Sequence, residues 1–435
     1  MGPTSMTDDD AARPPAAGPP PDAGLGTRAS LLGEVKIVDL TGFLAGPFAG
    51  MILADLGASV IKVEPLTGDA TRRSPPHFHQ GDSAYFLSIN RNKRSLAMDI
   101  KSPQGREILR RLVATSDVIL DNLRAEQRIA LGLGFDDLQR INPQIVSCSI
   151  TGFGSDGPYR NRPAYDIIVE AMGGIMSLTG PLGGPSVRAG VPIGDITASL
   201  YAAIGTLAGL EARRAQGKGV HIDVAMLDCQ ISLLSYLAQY YLVGGVVPSH
   251  QGREHMSIPV YNTFGCGDGR EVVVAANTEA MWQSLCRVLH REDLIGDERY
   301  LNPASRLSHR DELVAALRAE TAKWTADDFY QALVAAGVPA APINSIDVTL
   351  RDPQVVHRQM VVQVPHHGGG EYLSLASPIK VDGAAGEHFT SPPGLGADTE
   401  DVLGDLGYSS DEIAGFLTAG AVRSTHPDRQ TQGAS

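Results

Sequence analysis

Glu34–Leu40 (EVKIVDL), Gly46–Gly57 and Ser59–Glu64 (SVIKVE) together decide the fold. The first and last are short runs rich in Val and Ile, which read as buried strands. The middle run is a short apolar helix. Strand, helix, strand in that order is a compact βαβ unit, the seed of a parallel sheet. Ser102-Pro103 opens the next helix, with Ser as N-cap and Pro at the first position. Ile108, Leu109, Leu112 and Val113 then fall at helical spacing. Asp117–Asp121 (DVILD) and Gln144–Ile150 (QIVSCSI) read as further strands. This alternation predicts a doubly wound α/β domain.

The chain changes character twice beyond residue 150. Gly152–Asp195 is rich in Gly and Pro and leads to a long helix over Thr197–Gln216, dense in Ala, Gly and Leu. Gly217-Lys218-Gly219 ends it, Val220–Val224 is a strand, and a second apolar helix covers Ala225–Leu242. The large domain therefore spans 31–243. After Gly244, strands at Val260–Phe264 and Glu271–Ala276 flank the turn Gly267-Asp268-Gly269. Helices follow at Glu279–Leu289, Asp311–Ala322 and Asp327–Ala336, so residues 244–345 read as a smaller α/β domain. Residues 346–420 carry a strand near Tyr372–Val381 and a helix near Ser410–Ala419. Residues 421–435 read as a flexible tail. Residues 1–30 hold six prolines and Asp8–Asp10 with no apolar region, which predicts a disordered leader rather than a signal peptide.

The 435 residues are 43% hydrophobic and 20% charged, an ordinary globular balance with length enough for a large core. Lys and Arg number 36 against 49 Asp and Glu, a net charge of −13. That disfavours electrostatic binding to nucleic acid or to an anionic membrane. No apolar run approaches the roughly 18–20 residues of a membrane span. Cys148, Cys229, Cys266 and Cys286 form no CxxC and are too sparse for a disulfide scaffold, so reduced thiols and a cytoplasmic location are expected.

Few motifs carry chemistry on their own. Gly152, Gly154 and Gly157 match GxGxxG, but Pro158 follows and no apolar helix begins there, so a dinucleotide site is not expected. The close histidine pairs, His77 with His79 and His366 with His367, lie in polar loops. They read as solvated, and no metal site is assigned. Arg91-Asn92-Lys93-Arg94, with Lys101, Arg124 and Arg128 further on, is basic within an acidic chain. It is either a solvated face or a phosphate clamp. Asp166 and Asp195 flank the glycine-rich segment. Each is either a cap or turn residue or a carboxylate nucleophile, and the residues alone leave both readings open.

In combination the blocks are specific. They include Val38-Asp39-Leu40, Ala45-Gly46-Pro47-Phe48-Ala49, Leu53–Ala58 and Val60–Pro65. Asn90–Ser95, Asp121–Arg124, Thr151–Gly154, Ala164-Tyr165-Asp166, Gly194-Asp195, Asp223–Met226 and Asp352–Val355 continue the series. Over roughly Leu31 to Leu417 the chain resembles the class III (CaiB/BaiF) CoA-transferases, the formyl-CoA transferase and carnitine CoA-transferase family. The resemblance implies a Rossmann-like large domain that binds coenzyme A, a smaller α/β domain, a return of 346–420 to the large domain, and an interlocked homodimer. It places the nucleophilic aspartate at Asp195. Acyl-CoA and a carboxylic acid would be the substrates, with no permanently bound cofactor and no metal.

The resemblance also carries coenzyme contacts onto Leu44, Ala45, Met98, Lys101, Asn122, Leu123, Arg124, Arg162 and Tyr165. Two family arginines are missing, with Pro65 and Ala130 in their places, and Lys93, Arg94 and Arg128 are the candidates to replace them. Gly183, Gly184 and Gly190 are candidate lid residues. α-Methylacyl-CoA racemases share the fold but use a histidine where this chain has Tyr165. A phenol with an ordinary pKa near 10 is a poor base at neutral pH, which favours transfer over racemisation. A coenzyme-binding protein without catalysis is a further alternative, disfavoured by the intact Asp195. Thr179-Gly180-Pro181, Val187–Gly190 and Ser257–Tyr261 are similar to the succinyl-CoA:glutarate branch. A dicarboxylate such as succinate is therefore expected as one partner, with Arg188 either its receptor or a surface residue.

Overall fold

The computed structural model describes residues 31–381 and 389–425. The leader 1–30 falls outside them, so the expectation for it is not addressed. Two compact units emerge. One holds residues up to 174, 189–235 and those from 350 onward; the other holds 175–188 and 236–349.

The first unit is built on a seven-stranded sheet. Its strands are β1 (Lys36–Asp39), β2 (Ser59–Glu64), β5 (Lys93–Met98), β6 (Val118–Asp121), β7 (Val146–Thr151), β8 (His221–Ala225) and β14 (Val422–Arg423). A two-stranded hairpin, β3 (Phe78–His79) with β4 (Asp82–Ser83), lies between β2 and β5 in the chain. The spatial order is β14-β5-β2-β1-β6-β7-β8. All pairings are parallel except β14 on β5. Without β14 this is the 3-2-1-4-5-6 order of a doubly wound sheet. The order reverses between β1 and β6, the switch point beyond whose carboxyl ends open α/β sheets generally bind ligands.

Helices cover the sheet: α1 (Ala45–Asp55), α2 (Ala84–Ile89), α3 (Pro103–Thr115), α4 (Ala125–Ala130), α5 (Phe135–Ile141), α6 (Asp166–Met172), α8 (Ile193–Gln216) and α9 (Met226–Leu233). The Ser102 hydroxyl accepts the Gly105 N–H at 3.0 Å, so α3 starts where its cap and proline predict. α8 is long and apolar enough to match a membrane span in length and composition. Its small residues account for that character in a folded core: Ala198 and Ala202 are fully buried among residues of β7 and β8. A methyl at Gly209 would meet Val146 Cγ1 at 2.8 Å. Residues from 350 onward add α16 (Pro353–His357), the hairpin β12 (Val361–Pro365) with β13 (Glu371–Leu375), α17 (Thr399–Asp405) and α18 (Ser410–Thr418).

The second unit carries α7 (Ile175–Leu178), α10 (Ser235–Gly244, from Tyr236 onward), the antiparallel sheet β11 (Ala340–Pro342), β10 (Glu271–Ala275), β9 (Tyr261–Gly265), and helices α11 (Glu279–Val288), α12 (Pro303–Ser308), α13 (Arg310–Thr321), α14 (Ala326–Ala335) and α15 (Ile346–Thr349). Trp282, Phe264 and Phe329 fill its core.

Four sequence expectations need correction. α8 begins at Ile193, four residues before Thr197, because its cap comes from a distant residue. The apolar run 225–242 is two helices, broken at Ser235, whose φ of 47° is left-handed. Residues 175–188 and 236–243 group with the second unit rather than the large domain. The tail does not begin at 421, since Val422 and Arg423 pair with Met98 and Ala97.

Candidate active site

The loop that leaves β1 at this switch point is held by several hydrogen bonds. Asp39 is fully buried, and its carboxylate accepts the Thr41 N–H at 2.9 Å and the Thr41 hydroxyl. Lys62 donates to the Thr41 carbonyl at 2.9 Å. The Asn122 side-chain amide, just after β6, accepts the Gly42 N–H at 3.1 Å and donates to the Gly42 carbonyl at 2.8 Å. It thereby ties together the two loops between which the strand order reverses. Phe43 sits at φ 63°, a strained conformation for a bulky residue, and its ring meets Tyr165 edge-on at 6.3 Å.

Tyr165 leads directly to the carboxylates. Asp166, the next residue, accepts the N–H groups of Gly194 at 2.7 Å and Asp195 at 3.2 Å on one oxygen. Asp166 is thus the long-range cap of α8, a helix whose own flank supplies Pro192 and no capping side chain. Asp195 lies inside the first turn. Burial, and secondarily the Asp166 charge, push its carboxyl up to about 7. The two readings left open by the residues now separate: Asp166 is the cap and Asp195 the perturbed carboxylate. Ser199, one turn on and fully buried, places its hydroxyl 2.7 Å from the Asp195 carbonyl and 2.7 Å from the Ala45 carbonyl. The start of α1 and the Asp195 turn are therefore stitched together. Burial, with the charges of Asp195, Asp69 and Asp166, also pushes the Tyr85 phenol up to about 12. Nothing in the sequence singled out Tyr85.

The other expected contacts divide. Leu44 and Ala45 are buried at the start of α1, and Leu123 is half-buried. Arg124, at the start of α4, and Arg162, stacked 3.7 Å over Tyr159, are exposed beyond β6 and β7. Lys101 is exposed in the turn after β5. Met98 is a correction: it is 1% exposed and packs with Leu96 and Ile108 in the core, so its side chain cannot reach a coenzyme.

The basic group divides: Lys101 and Arg124 are exposed, whereas Arg91, Lys93 and Arg128 are buried on partners of their own. Arg91 is buried and forks onto Asp55 at 3.0 and 2.6 Å. Lys93 is buried between Asp39, Asn90 and the Pro47 carbonyl, and desolvation lowers it to about 8. Arg94 pairs with Asp405. Arg128 is buried on Ser149 and Ser155. None of Lys93, Arg94 and Arg128 is free to replace the missing arginines. Gly152–Gly157 is followed by no helix before α6. Gly183, Gly184, Arg188 and Gly190 lie in the stretch between α7 and α8, with Gly183 left-handed and Arg188 exposed. The histidine expectation fails in part: His366 is buried and His79 half-buried.

Among known proteins, the family model for CoA-transferase family III matches residues 32–399. The chain belongs to that family and is an enzyme of that class. It is 38% identical to a human succinyl-CoA:glutarate CoA-transferase over 89% of both chains. It is 36% identical to a Haloarcula hispanica succinyl-CoA:mesaconate CoA-transferase over 83% of this chain and 92% of that one. A solved CaiB/BaiF family protein from Brucella suis superposes with a TM-score of 0.79 at 37% identity, covering 87% of this chain and all of that one.

Proposed function

We propose that this enzyme moves coenzyme A from an acyl-CoA, succinyl-CoA in the first instance, to a second carboxylic acid through covalent intermediates on Asp195. The observation that carries the reading is Asp195 itself, a carboxylate destabilised toward nucleophilicity by burial and by Asp166. Its carboxylate oxygen attacks the thioester carbonyl, the C–S bond breaks, and an acyl–aspartyl anhydride and CoA thiolate form. The thiolate attacks the aspartyl carbonyl, releasing the donor acid and leaving an aspartyl-CoA thioester. The acceptor carboxylate attacks that carbonyl, the C–S bond breaks, and a second anhydride and CoA thiolate form. The thiolate then takes the acceptor acyl group and frees Asp195. Thioester energy is conserved at each step, so no nucleotide is consumed.

Leu44, Ala45, Asn122, Leu123, Arg124, Arg162 and Tyr165 would line the coenzyme site, with Lys101 nearby. The exposed Arg124 and Arg162 suit its phosphates. The names of the glutarate and mesaconate relatives support a dicarboxylate acceptor. An interlocked homodimer fits the exposed Ile168, Met172, Leu200 and Ile204 on α6 and α8. The four free cysteines fit a reducing, cytoplasmic setting.

A grid of acyl-CoA donors against carboxylic acids, read by mass spectrometry, identifies the pair. Asp195→Ala is expected to lower transfer on the order of 1,000-fold or more, as with other covalent nucleophiles. Full transfer by that variant contradicts the reading. Rapid deuterium wash-in at the α-carbon of a 2-methylacyl-CoA, with no acceptor acid, identifies a racemase instead.

A further inference from the structure

Two turns far apart in the chain bring three imidazoles and a carboxylate together. His79 and Asp82 flank the turn between β3 and β4, and His366 and His367 open the turn between β12 and β13. The Nε2 atoms of His366 and His367 lie 3.2 and 2.5 Å from the same Asp82 oxygen. One donor atom from each of the three residues lies within 4.8 Å of the other two. The His366 and His367 rings stack at 4.5 Å, and His79 meets His366 edge-on at 5.2 Å. The His366 side chain is 0% exposed, yet its Nε2 makes no aligned hydrogen bond, and neither does Nε2 of His79. Buried polar atoms of this kind normally have partners.

We propose that Asp82, His366 and His367 bind a divalent transition-metal ion of the zinc class, flanked by His79, which fastens the 366–370 turn to the β3–β4 hairpin. Two imidazole nitrogens and one carboxylate suit zinc, cobalt or nickel, whereas calcium and magnesium demand oxygen ligands. The site shares no residue with the Asp195 machinery, so it stands whether or not the transfer mechanism does.

Two features oppose loading, and both can be met. Nδ1 of His366 accepts the Gly368 N–H at 3.0 Å. A ring that coordinates through Nε2 carries its proton on Nδ1, so that amide must turn away. The following Gly369 and Gly370, at φ 98° and 70°, give the turn that freedom. Arg72 lies 3.9 Å from the other Asp82 oxygen, but its fork is committed to Glu64 at 2.8 and 2.7 Å, which offsets its charge.

The test uses the full chain without a histidine tag, stripped with chelator and titrated with cobalt(II). One cobalt per chain with visible d–d bands, displaced by zinc, is expected. Zinc at about 100 times its Kd should raise Tm by several degrees. His367→Ala removes a side chain that is 38% exposed, so it should fold. It should weaken binding by about tenfold or more, as should Asp82→Asn. Absence of cobalt bands, or an equal zinc shift in wild type and His367→Ala, overturns the proposal. Should Asp82→Asn fail to fold by circular dichroism, His367→Ala decides.

Discussion

Asp195 and Asp166 divide two roles that the same residue type could fill, and their geometry sets a pH dependence. The folded chain holds the Asp195 proton up to about 7, against an ordinary value of 3.8. It therefore binds more protons than the unfolded chain between those values, and this group's contribution to stability falls as pH rises through that window. On the proposed mechanism activity runs the other way, because the carboxylate would be the nucleophile, so the acid limb of kcat/KM should lie near pH 7. Asp166→Asn keeps an oxygen to cap Gly194 and Asp195 but removes the repelling charge. The limb should move to lower pH, read from pH–rate profiles of the two enzymes. A limb that stays in place assigns the shift to burial alone.

At the scale of elements, α8 and the strands beneath it depend on residues without side chains. A Cβ at Gly219 would lie 1.9 Å from the Ile145 carbonyl oxygen, and backbone cannot yield as a side chain can. Gly219→Ala should lower stability by about 1–3 kcal/mol, measured by denaturant unfolding. The β1–α1–β2 unit, the Ser102 cap and the close-packed α8 were legible because each rests on local pattern. The start of α8 was not, since its cap lies 28 residues upstream of Gly194. The basic run misled for a similar reason: Asp39 and Asp55, which bury Lys93 and Arg91, come from other elements. His366 likewise reads as a loop residue until the fold delivers Asp82 to it.

The whole molecule combines a charge of −13 with cations of which, among the described residues, about half form ion pairs. Arg124 and Arg162 remain exposed, so on the proposed function recognition of coenzyme phosphates would be local rather than a property of the overall field. In the proposed homodimer the apolar side chains exposed on α6 and α8 would be covered by a second chain. Sedimentation equilibrium should give a dimer at micromolar concentration; a monomer that retains full activity contradicts that expectation.

The most direct test of covalent catalysis follows one oxygen atom. Turnover with an acyl-CoA donor and an acceptor acid labelled with oxygen-18 in its carboxylate should leave the label in Asp195, because that oxygen bridges the second anhydride and stays behind when CoA takes the acyl group. Mass spectrometry of the peptide containing Asp195 should show a single oxygen-18 after single turnover. Full transfer with no label in that peptide contradicts the mechanism.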